Sequence, residues 1–437
     1  MQYLLARVRD GVEAGDRSGS CRHGASIVPQ AALLLQDAGM RLQALRIPPC
    51  LRGAYQELPA AQTFDLWVEA GDVISISPST EPARGTLLSG LVDAHVHLDK
   101  SYTVGAAGAA QGDLASAIAR CAANRLTWTP ADLRLRMSRA LEDAWACGTR
   151  AMRTHIDWVG DDMPVALRVF EQLREQWRGR IELQMAALVP LELWGNAASA
   201  ERIAGQVAVT AAGGTSALGA FVYRHAGLQE KLEALFDVAQ RHYLPLDIHV
   251  DEGLSPDACG LQTVAGIALA RGWQGRIVCS HACSLSVQPA DVARRTLQAC
   301  RAAGIHLVAL PTTNLHLQGD WEGTPVERGI TRVREAAALG MAPCIATDNV
   351  ADPFFPYGSY DLVETFGLAV QVAHLAPVHD WLSAITVAPA SAMGLQWDGR
   401  IREGSPADLV CLAASDDHAL LTPTGRRRAV IRKGQLI

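Results

Sequence analysis

The sequence is poor in charge, poor in lysine and without a long hydrophobic run. Charged residues make up 19% of the 437 residues, and lysine occurs only as Lys100, Lys231 and Lys433. The formal net charge is −6, and the absence of a basic stripe argues against nucleic-acid binding. No apolar run approaches bilayer length, so we expect no membrane association. The first residues do not resemble a signal peptide.

A regular cysteine framework is also absent, although the chain contains ten cysteines. Scattered cysteines in a chain with 49% apolar residues are typical of a globular protein with reduced thiols. We therefore expect a cytoplasmic location. The length of 437 residues allows one large domain and a smaller one.

Strands and helices alternate through most of the chain. The predicted strands of this region are residues 88–97, 150–157, 181–189, 216–222, 244–250, 276–280, 305–310 and 342–347. Eight β/α units over about 300 residues predict an α/β fold of the (β/α)8 TIM-like barrel type. A doubly wound open sheet is the structural alternative.

Short alternating strands flank this region at both ends of the sequence. Residues 64–69 and 73–77 alternate on either side of a Gly-Asp pair, which predicts a β-hairpin, and residues 3–8 form a further candidate strand. Short strands return after Met393. The predicted domains are a small β-sandwich built from residues 1–87 and 395–437, and a barrel built from residues 88–394.

Two histidines alternate with apolar residues at the end of the first predicted barrel strand. Residues 91–100 read LVDAHVHLDK, so His95 and His97 leave the same face of the strand. Imidazoles at positions i and i+2 can bind one metal ion. Taken alone, the pair could equally be a polar strand end with two solvated histidines.

Further side chains that bind metals or carry protons stand at the carboxyl ends of other predicted strands. These ends meet at one mouth of a barrel, where such barrels have their active sites. The residues at this mouth are His95, His97, His155, Asp157, His249, Glu252, His281 and Asp348. Three imidazoles and one carboxylate suit one divalent ion, Zn²⁺ or Fe²⁺, and leave a position for water. Such an ion lowers the pKa of water and makes hydroxide available for hydrolysis.

The catalytic roles follow from the same positions. Asp348 can bind the ion and accept a proton from the water, while His281 can orient the hydroxide or polarise the group under attack. Glu252 can carry protons to a substrate nitrogen and to the leaving group. The fourth predicted strand ends without the lysine that often bridges a second metal in such barrels, so we predict one metal ion per chain.

The ordered motifs resemble those of the amidohydrolase superfamily, most closely its cytosine deaminase and N-isopropylammelide isopropylaminohydrolase branch. The matching segments are LVDAHVHLDK at 91–100, RTHID at 153–157, HVDE at 249–252, SH at 280–281, NLHLQG at 314–319 and TDNVADPF at 347–354. The resemblance implies hydrolytic removal of an amino group from a small nitrogen heterocycle. It also implies a proton-carrying Glu252 and a His281 that assists the hydroxide. The metal ligands that it implies are His95, His97, His249 and Asp348.

Three departures bear on the substrate. Leu191 stands where cytosine deaminase has a glutamine that binds the pyrimidine amide, Asn349 follows the metal-binding acid, and Phe354 replaces a tryptophan. Loss of a paired amide contact weighs against cytosine, because sites built for polar edges discriminate strongly. The predicted substrate-binding residues are His155, Asp157, Leu191, Asn314, His316, Asn349 and Phe354. His155 could instead be a hydrogen-bonded polar residue at the barrel mouth.

Two other functions are open on sequence alone. A cyclic amidase or N-alkylamine-releasing hydrolase of the same superfamily is one, although the missing lysine weighs against a cyclic amidase. A non-catalytic metal- or ligand-binding barrel is the other, and Glu252 and Asp348 weigh against it. The expected partner is a small N-heterocycle rather than nucleic acid or membrane, and the resemblance is compatible with a homo-oligomer.

Overall fold

The computed structural model describes residues 32–36, 39–53, 62–110, 112–210, 216–273 and 275–437. The candidate strand at residues 3–8 lies outside them. Two eight-stranded sheets organise the described residues. In chain order, the strands are β1 (Leu33–Gln36), β2 (Gly39–Arg46), β3 (Thr63–Glu69), β4 (Asp72–Ser79), β5 (Gly85–Ser89), β6 (Leu91–Val96), β7 (Thr149–Asp157), β8 (Glu182–Pro190), β9 (Ser216–Val222), β10 (Leu246–Val250), β11 (Ile277–His281), β12 (His306–Ala309), β13 (Cys344–Ile345), β14 (Leu409–Leu412), β15 (Arg428–Arg432) and β16 (Gln435–Leu436).

The first sheet joins both ends of the chain. Its strand order is β16-β15-β14-β5-β2-β3-β4, and β1 pairs with β2. The predicted hairpin is β3 and β4, which pair antiparallel from Thr63 opposite Ser79 to Glu69 opposite Asp72. Antiparallel pairing of β14 with β5 connects the C-terminal strands to the N-terminal ones. The strands form one continuously hydrogen-bonded sheet.

The second sheet is the predicted barrel. Strands β6 to β13 lie side by side in chain order, and each pair is parallel. The backbone N–H of Asp348, just after β13, donates to the carbonyl oxygen of His95 on β6 over 3.0 Å. This contact brings the last strand back to the first, so the carboxyl ends of all eight strands surround one mouth. The (β/α)8 fold class is confirmed.

Amphipathic helices surround the barrel. The helices are α1 (Val104–Ala107), α2 (Leu114–Arg125), α3 (Pro130–Ala146), α4 (Val165–Gln176), α5 (Leu191–Trp194), α6 (Ala197–Thr210), α7 (Leu228–Arg241), α8 (Gly260–Ala270), α9 (Ala290–Ala302), α10 (Pro311–Leu317), α11 (Val333–Ala338), α12 (Leu362–Val372), α13 (Val378–Trp381), α14 (Val387–Met393) and α15 (Asp417–Leu420). In α7, Leu232, Leu235, Phe236 and Ala239 recur at helical spacing and are buried. Burial of each such large apolar side chain contributes about 1.5–3 kcal/mol. Among the described residues, no helix is long and apolar enough to span a bilayer.

One predicted strand is divided in the structure. The predicted strand at residues 88–97 consists of β5 in the first sheet and β6 in the barrel, separated by Gly90. A side chain at Gly90 would lie 2.8 Å from Cβ of Arg150, so glycine permits this close approach. The 3₁₀ turn Leu382–Ile385 directly precedes α14. The domain boundaries 87/88 and 394/395 stay a prediction.

Candidate active site

Three histidines and one aspartate meet at the carboxyl ends of the barrel strands. Asp348 Oδ1 lies 3.2 Å from Nε2 of His97 and 3.5 Å from Nε2 of His95. Nε2 of His249 lies 3.3 Å from Nε2 of His97. All four side chains are buried. The fold therefore gathers residues that are about 250 positions apart in sequence into one compact set of nitrogen and oxygen donors.

The unpaired atoms of this cluster fit a divalent metal ion. Nε2 of His95 and both carboxylate oxygens of Asp348 are buried without a hydrogen-bond partner among the described residues. Buried polar atoms are normally paired, so a set of converging lone pairs requires another partner. Burial lowers the pKa of His95, His97 and His249 well below the usual value, which favours the neutral imidazole that binds metals. His95, His97 and His249 each offer one ligand atom within 4.8 Å of the others.

Hydrogen bonds behind the cluster fix the ring orientations. Nδ1 of His95 lies 2.8 Å from Oγ of Ser280, and Nδ1 of His97 lies 3.3 Å from the carbonyl oxygen of His155. With Nδ1 engaged in this way, Nε2 of each ring is directed into the cluster.

His155 lies behind the metal-binding cluster. Its ring centroid is 3.9 Å from that of His95, and its Nε2 lies 3.0 Å from Oδ1 of Asp247. Arg153 donates to the other oxygen of Asp247 over 2.8 Å. His155 does not line the cavity, and its predicted substrate contact stays a prediction.

Glu252 and His281 form a second buried pair beside the cluster. Oε1 of Glu252 lies 3.4 Å from Nδ1 of His281, and Nδ2 of Asn314 donates to the same nitrogen over 3.0 Å. Because Nδ1 accepts, the ring proton stands on Nε2, which has no partner among the described residues. Burial, reinforced by Asp348, raises the pKa of Glu252 well above the usual value, and burial lowers the pKa of His281 to about 3. The pair therefore offers a protonated carboxyl and a neutral imidazole N–H.

A cavity of about 490 Å³ opens above these residues. Its volume is in the range of small-molecule sites. The apolar lining includes Leu114, Ile118, Leu188, Val189, Phe221 and Phe354, and the polar lining includes His97, His249, Glu252, His281 and Asn349. Apolar and aromatic walls around a few polar groups suit a flat, polar-edged ring.

A buried ion cluster forms one wall of the cavity. Oδ1 of Asp157 lies 2.9 Å from Nζ of Lys100, and its Oδ2 accepts a hydrogen bond from Arg125. The ammonium group of Lys100 also lies 4.9 Å from the ring centroid of Phe354. Although burial opposes it, Lys100 and Arg125 lower the pKa of Asp157 to about 2. No role at the site was predicted for Lys100 or Arg125, although Lys100 is the last residue of the motif at 91–100 that carries two of the metal-binding histidines.

Three other predicted substrate-binding residues lie away from the cavity wall. Leu191 is buried at the start of α5, and its neighbour Glu192 lines the cavity instead. Asn314 lies behind His281. His316 packs its ring against Trp321, Phe355 and Tyr357, with centroid distances of 5.3, 5.6 and 5.8 Å. By contrast, Asp157, Asn349 and Phe354 line the cavity.

The fold and the site define a barrel hydrolase. The model of the amidohydrolase family matches residues 185–437. Pterin deaminase from Rhizobium rhizogenes (strain K84) is 34% identical over 385 residues, which cover 85% of this chain and 87% of the relative. The chain belongs to the amidohydrolase family, which confirms the resemblance. It is a hydrolase that acts on carbon–nitrogen bonds other than peptide bonds.

Two more distant relatives extend over most of the chain. N-isopropylammelide isopropyl amidohydrolase from Pseudomonas sp. (strain ADP) is 22% identical over 395 residues, which cover 86% of this chain and 93% of the relative. The crystal structure of 5-methylcytosine deaminase from Klebsiella pneumoniae, liganded with phosphonocytosine, superposes with a TM-score of 0.78 at 25% identity. This superposition covers 91% of this chain and 98% of the other. The similarity therefore includes both the barrel and the sheet formed by the chain ends.

Proposed function

We propose that the protein is a metal-dependent aminohydrolase that removes an exocyclic amino group from a small N-heterocycle. The observation that carries this proposal is the set of unpaired buried atoms of His95 and Asp348 beside the Glu252–His281 pair. A single Zn²⁺ or Fe²⁺ ion bound there would make water a nucleophile at neutral pH. The proposed ligands are His95, His97, His249 and Asp348.

The proton transfers are proposed for side chains of this chain. Asp348 accepts a proton from the attacking water, and Glu252 gives a proton to the ring nitrogen beside the attacked carbon. His281 donates its Nε2–H to the oxygen that attacks. Asp348 passes its proton to the amino group, which leaves as ammonia when the C–N bond breaks, and the remaining hydroxyl proton returns to Glu252 as the carbonyl group forms.

Pteridines are the substrates to test first. The relative with 34% identity is a pterin deaminase. The cavity walls are largely apolar, with Phe221 and Phe354 among them, and suit a planar ring system. Asp157 and Asn349, also on the wall, are proposed to contact its polar edge.

Release of an N-alkylamine is the second candidate function, because the Pseudomonas relative is named for an N-isopropyl substrate and aligns over 86% of this chain. A cyclic amidase gains no support from the site. Strand β9 ends at Phe221 and Val222, and Lys100 is paired with Asp157.

A cytoplasmic location, the absence of nucleic-acid and membrane partners, and compatibility with a homo-oligomer stay proposals from the sequence.

Metal analysis combined with amine release tests the proposal. We expect one metal ion per chain and ammonia from one class in a panel of pteridines, pyrimidines, triazines and imidazoles at neutral pH. Metal-loaded protein that releases neither ammonia nor an alkylamine from any of them would contradict the proposal. Two metal ions per chain would favour the cyclic amidase function instead.

A further inference from the structure

A carboxylate and a histidine form a fixed pair on the cavity wall, and neither belongs to the metal-binding cluster. Glu192 follows the buried Leu191 at the start of α5, and both Glu192 and His225 line the cavity. Trp194 of the same short helix donates its indole N–H to the carbonyl oxygen of Gly219 on β9 over 3.1 Å. This anchor holds Glu192 at the wall.

His225 is bound at both ring nitrogens. Nδ1 lies 2.8 Å from Oε1 of Glu192, and Nε2 lies 3.1 Å from the carbonyl oxygen of Phe221. A carboxylate and a carbonyl oxygen only accept hydrogen bonds, so a protonated ring nitrogen of His225 donates to one of them and the ring is held between the two. Nζ of Lys231, 3.7 Å from the same Oε1, adds a positive charge beside the carboxylate.

The contacts of Glu192 keep its side chain charged and oriented while much of it stays accessible. Although partial burial opposes it, the backbone N–H of Glu192 and His225 lower the pKa of this carboxyl. His225 and Lys231 both contact Oε1. The side chain of Glu192 is 57% exposed, compared with 17% for His225. The cavity wall therefore presents an accessible anion that accepts hydrogen bonds and donates none.

We propose that Glu192, oriented by His225, is a specificity-determining residue that accepts a hydrogen bond from an N–H group on the substrate ring remote from the exocyclic amino group. The selected class is a heterocycle with an N–H donor on its edge facing β8 and β9, in preference to one with only acceptor nitrogens there. An edge with only acceptor nitrogens would face the carboxylate with no proton between them. The carboxylate would then lose its bound water without gaining a hydrogen bond. This inference rests on the proposed function, since it takes the substrate to be an N-heterocycle.

Three pteridines with the same amino-bearing ring test the inference. The second ring of pterin has only acceptor nitrogens, whereas xanthopterin and isoxanthopterin each carry one lactam N–H, on opposite sides of that ring. Both kcat/KM and the dissociation constant are measured for each compound. Dissociation constants come from metal-loaded protein with Glu252→Gln, so that binding is observed without turnover.

The chain offers a closely matched control for Glu192→Gln. Glu201 on α6 receives a hydrogen bond from Nε2 of His242 over 2.7 Å, and these side chains are 54% and 21% exposed. Glu201 and His242 do not line the cavity. We expect Glu192→Gln to lower the preference for the better lactam over pterin about tenfold or more, and Glu201→Gln to leave it unchanged. His225→Phe should lower the same preference, and His225→Gln should retain part of it.

The outcomes separate this inference from the proposed function. Equal binding of all three compounds to Glu252→Gln protein that retains Glu192, equal losses for all three on Glu192→Gln, or no binding at all would overturn the inference. Binding that depends on Glu192 without ammonia from any substrate of the wider panel would support the inference and contradict the proposed function. Circular dichroism and the melting temperature show that each variant is folded.

Discussion

The backbone of Asp348 is joined to that of His95 where the barrel closes: the Asp348 N–H donates to the His95 carbonyl oxygen over 3.0 Å. Asp348 has a φ of +62°, a left-handed conformation that is uncommon for a residue other than glycine. The closure places the Asp348 carboxylate next to the imidazoles of β6, with Oδ1 3.5 Å from Nε2 of His95. One chain turn therefore both closes the barrel and completes the proposed metal site.

Replacement of Asp348 by asparagine should remove bound metal from the protein. The substitution keeps the size of the side chain but replaces its anionic oxygens, which have no other partner among the described residues. In the parent protein, metal at about 100 times its dissociation constant should stabilise the fold by about 2.7 kcal/mol. We expect Asp348→Asn to lose most of this effect and all turnover.

Metal content by mass spectrometry and unfolding with and without added zinc measure the loss. Asp291→Asn is the control, since Asp291 lies on α9, away from the cluster, and pairs with the exposed Arg295. Full metal occupancy in Asp348→Asn would contradict the ligand assignment.

Replacement of Glu252 by glutamine should abolish turnover without loss of metal. The buried Glu252 carboxyl has its pKa raised well above the usual value, so it can hold and deliver a proton, whereas an amide cannot. We expect kcat to fall by about 10²–10⁴-fold, with metal content and pteridine binding close to those of the parent. An active Glu252→Gln variant would contradict the proposed proton transfer.

The barrel and the polar strand ends were predictable because both arise from local patterns that recur along the chain. His97, His249 and His281 each stand at or near a strand end, and parallel strands around a barrel bring such ends together. The division between β5 and β6 was not predictable from periodicity. Residues on both sides of Gly90 are buried, so the apolar pattern continues across the change of sheet.

The cavity wall was harder to predict than the cluster below it. Arg125 reaches Asp157 from the end of α2, and only the tertiary position of that helix brings the two together. Leu191 and Glu192 are adjacent, and which of them faces the cavity depends on how α5 follows β8. Sequence alone provides no period for a helix of four residues, so the orientation of Glu192 required the structure.

The ion cluster of Asp157 should make stability depend on acidic pH. Lys100 and Arg125 lower the pKa of Asp157 to about 2, below the value of about 3.9 for an unfolded aspartate. The charged form is therefore favoured by folding, and its contribution is present above about pH 4 and lost as the pH falls toward 2. The expected loss is up to about 2 kcal/mol.

Urea unfolding of metal-free protein at several pH values measures this contribution. Asp157→Asn should be less stable at pH 7 by about 3–5 kcal/mol, because Lys100 stays buried without its partner. The variant should lose less further stability between pH 4 and pH 2 than the parent. If both proteins lost the same stability between pH 4 and pH 2, the contacts with Lys100 and Arg125 would not lower the pKa of Asp157.

Asn314 should act on turnover through His281 and not through substrate binding. Its Nδ2 donates to Nδ1 of His281 over 3.0 Å, which holds the imidazole proton on Nε2. Asn314→Leu removes this donor, so the ring can take the other tautomer, and we expect kcat to fall about tenfold or more while KM for a pteridine changes little. Asn314→Gln, which keeps an amide, should recover part of kcat. If Asn314 instead binds substrate directly, Asn314→Leu should raise KM and preserve kcat. The reason is that a contact made equally in the ground and transition states affects only binding.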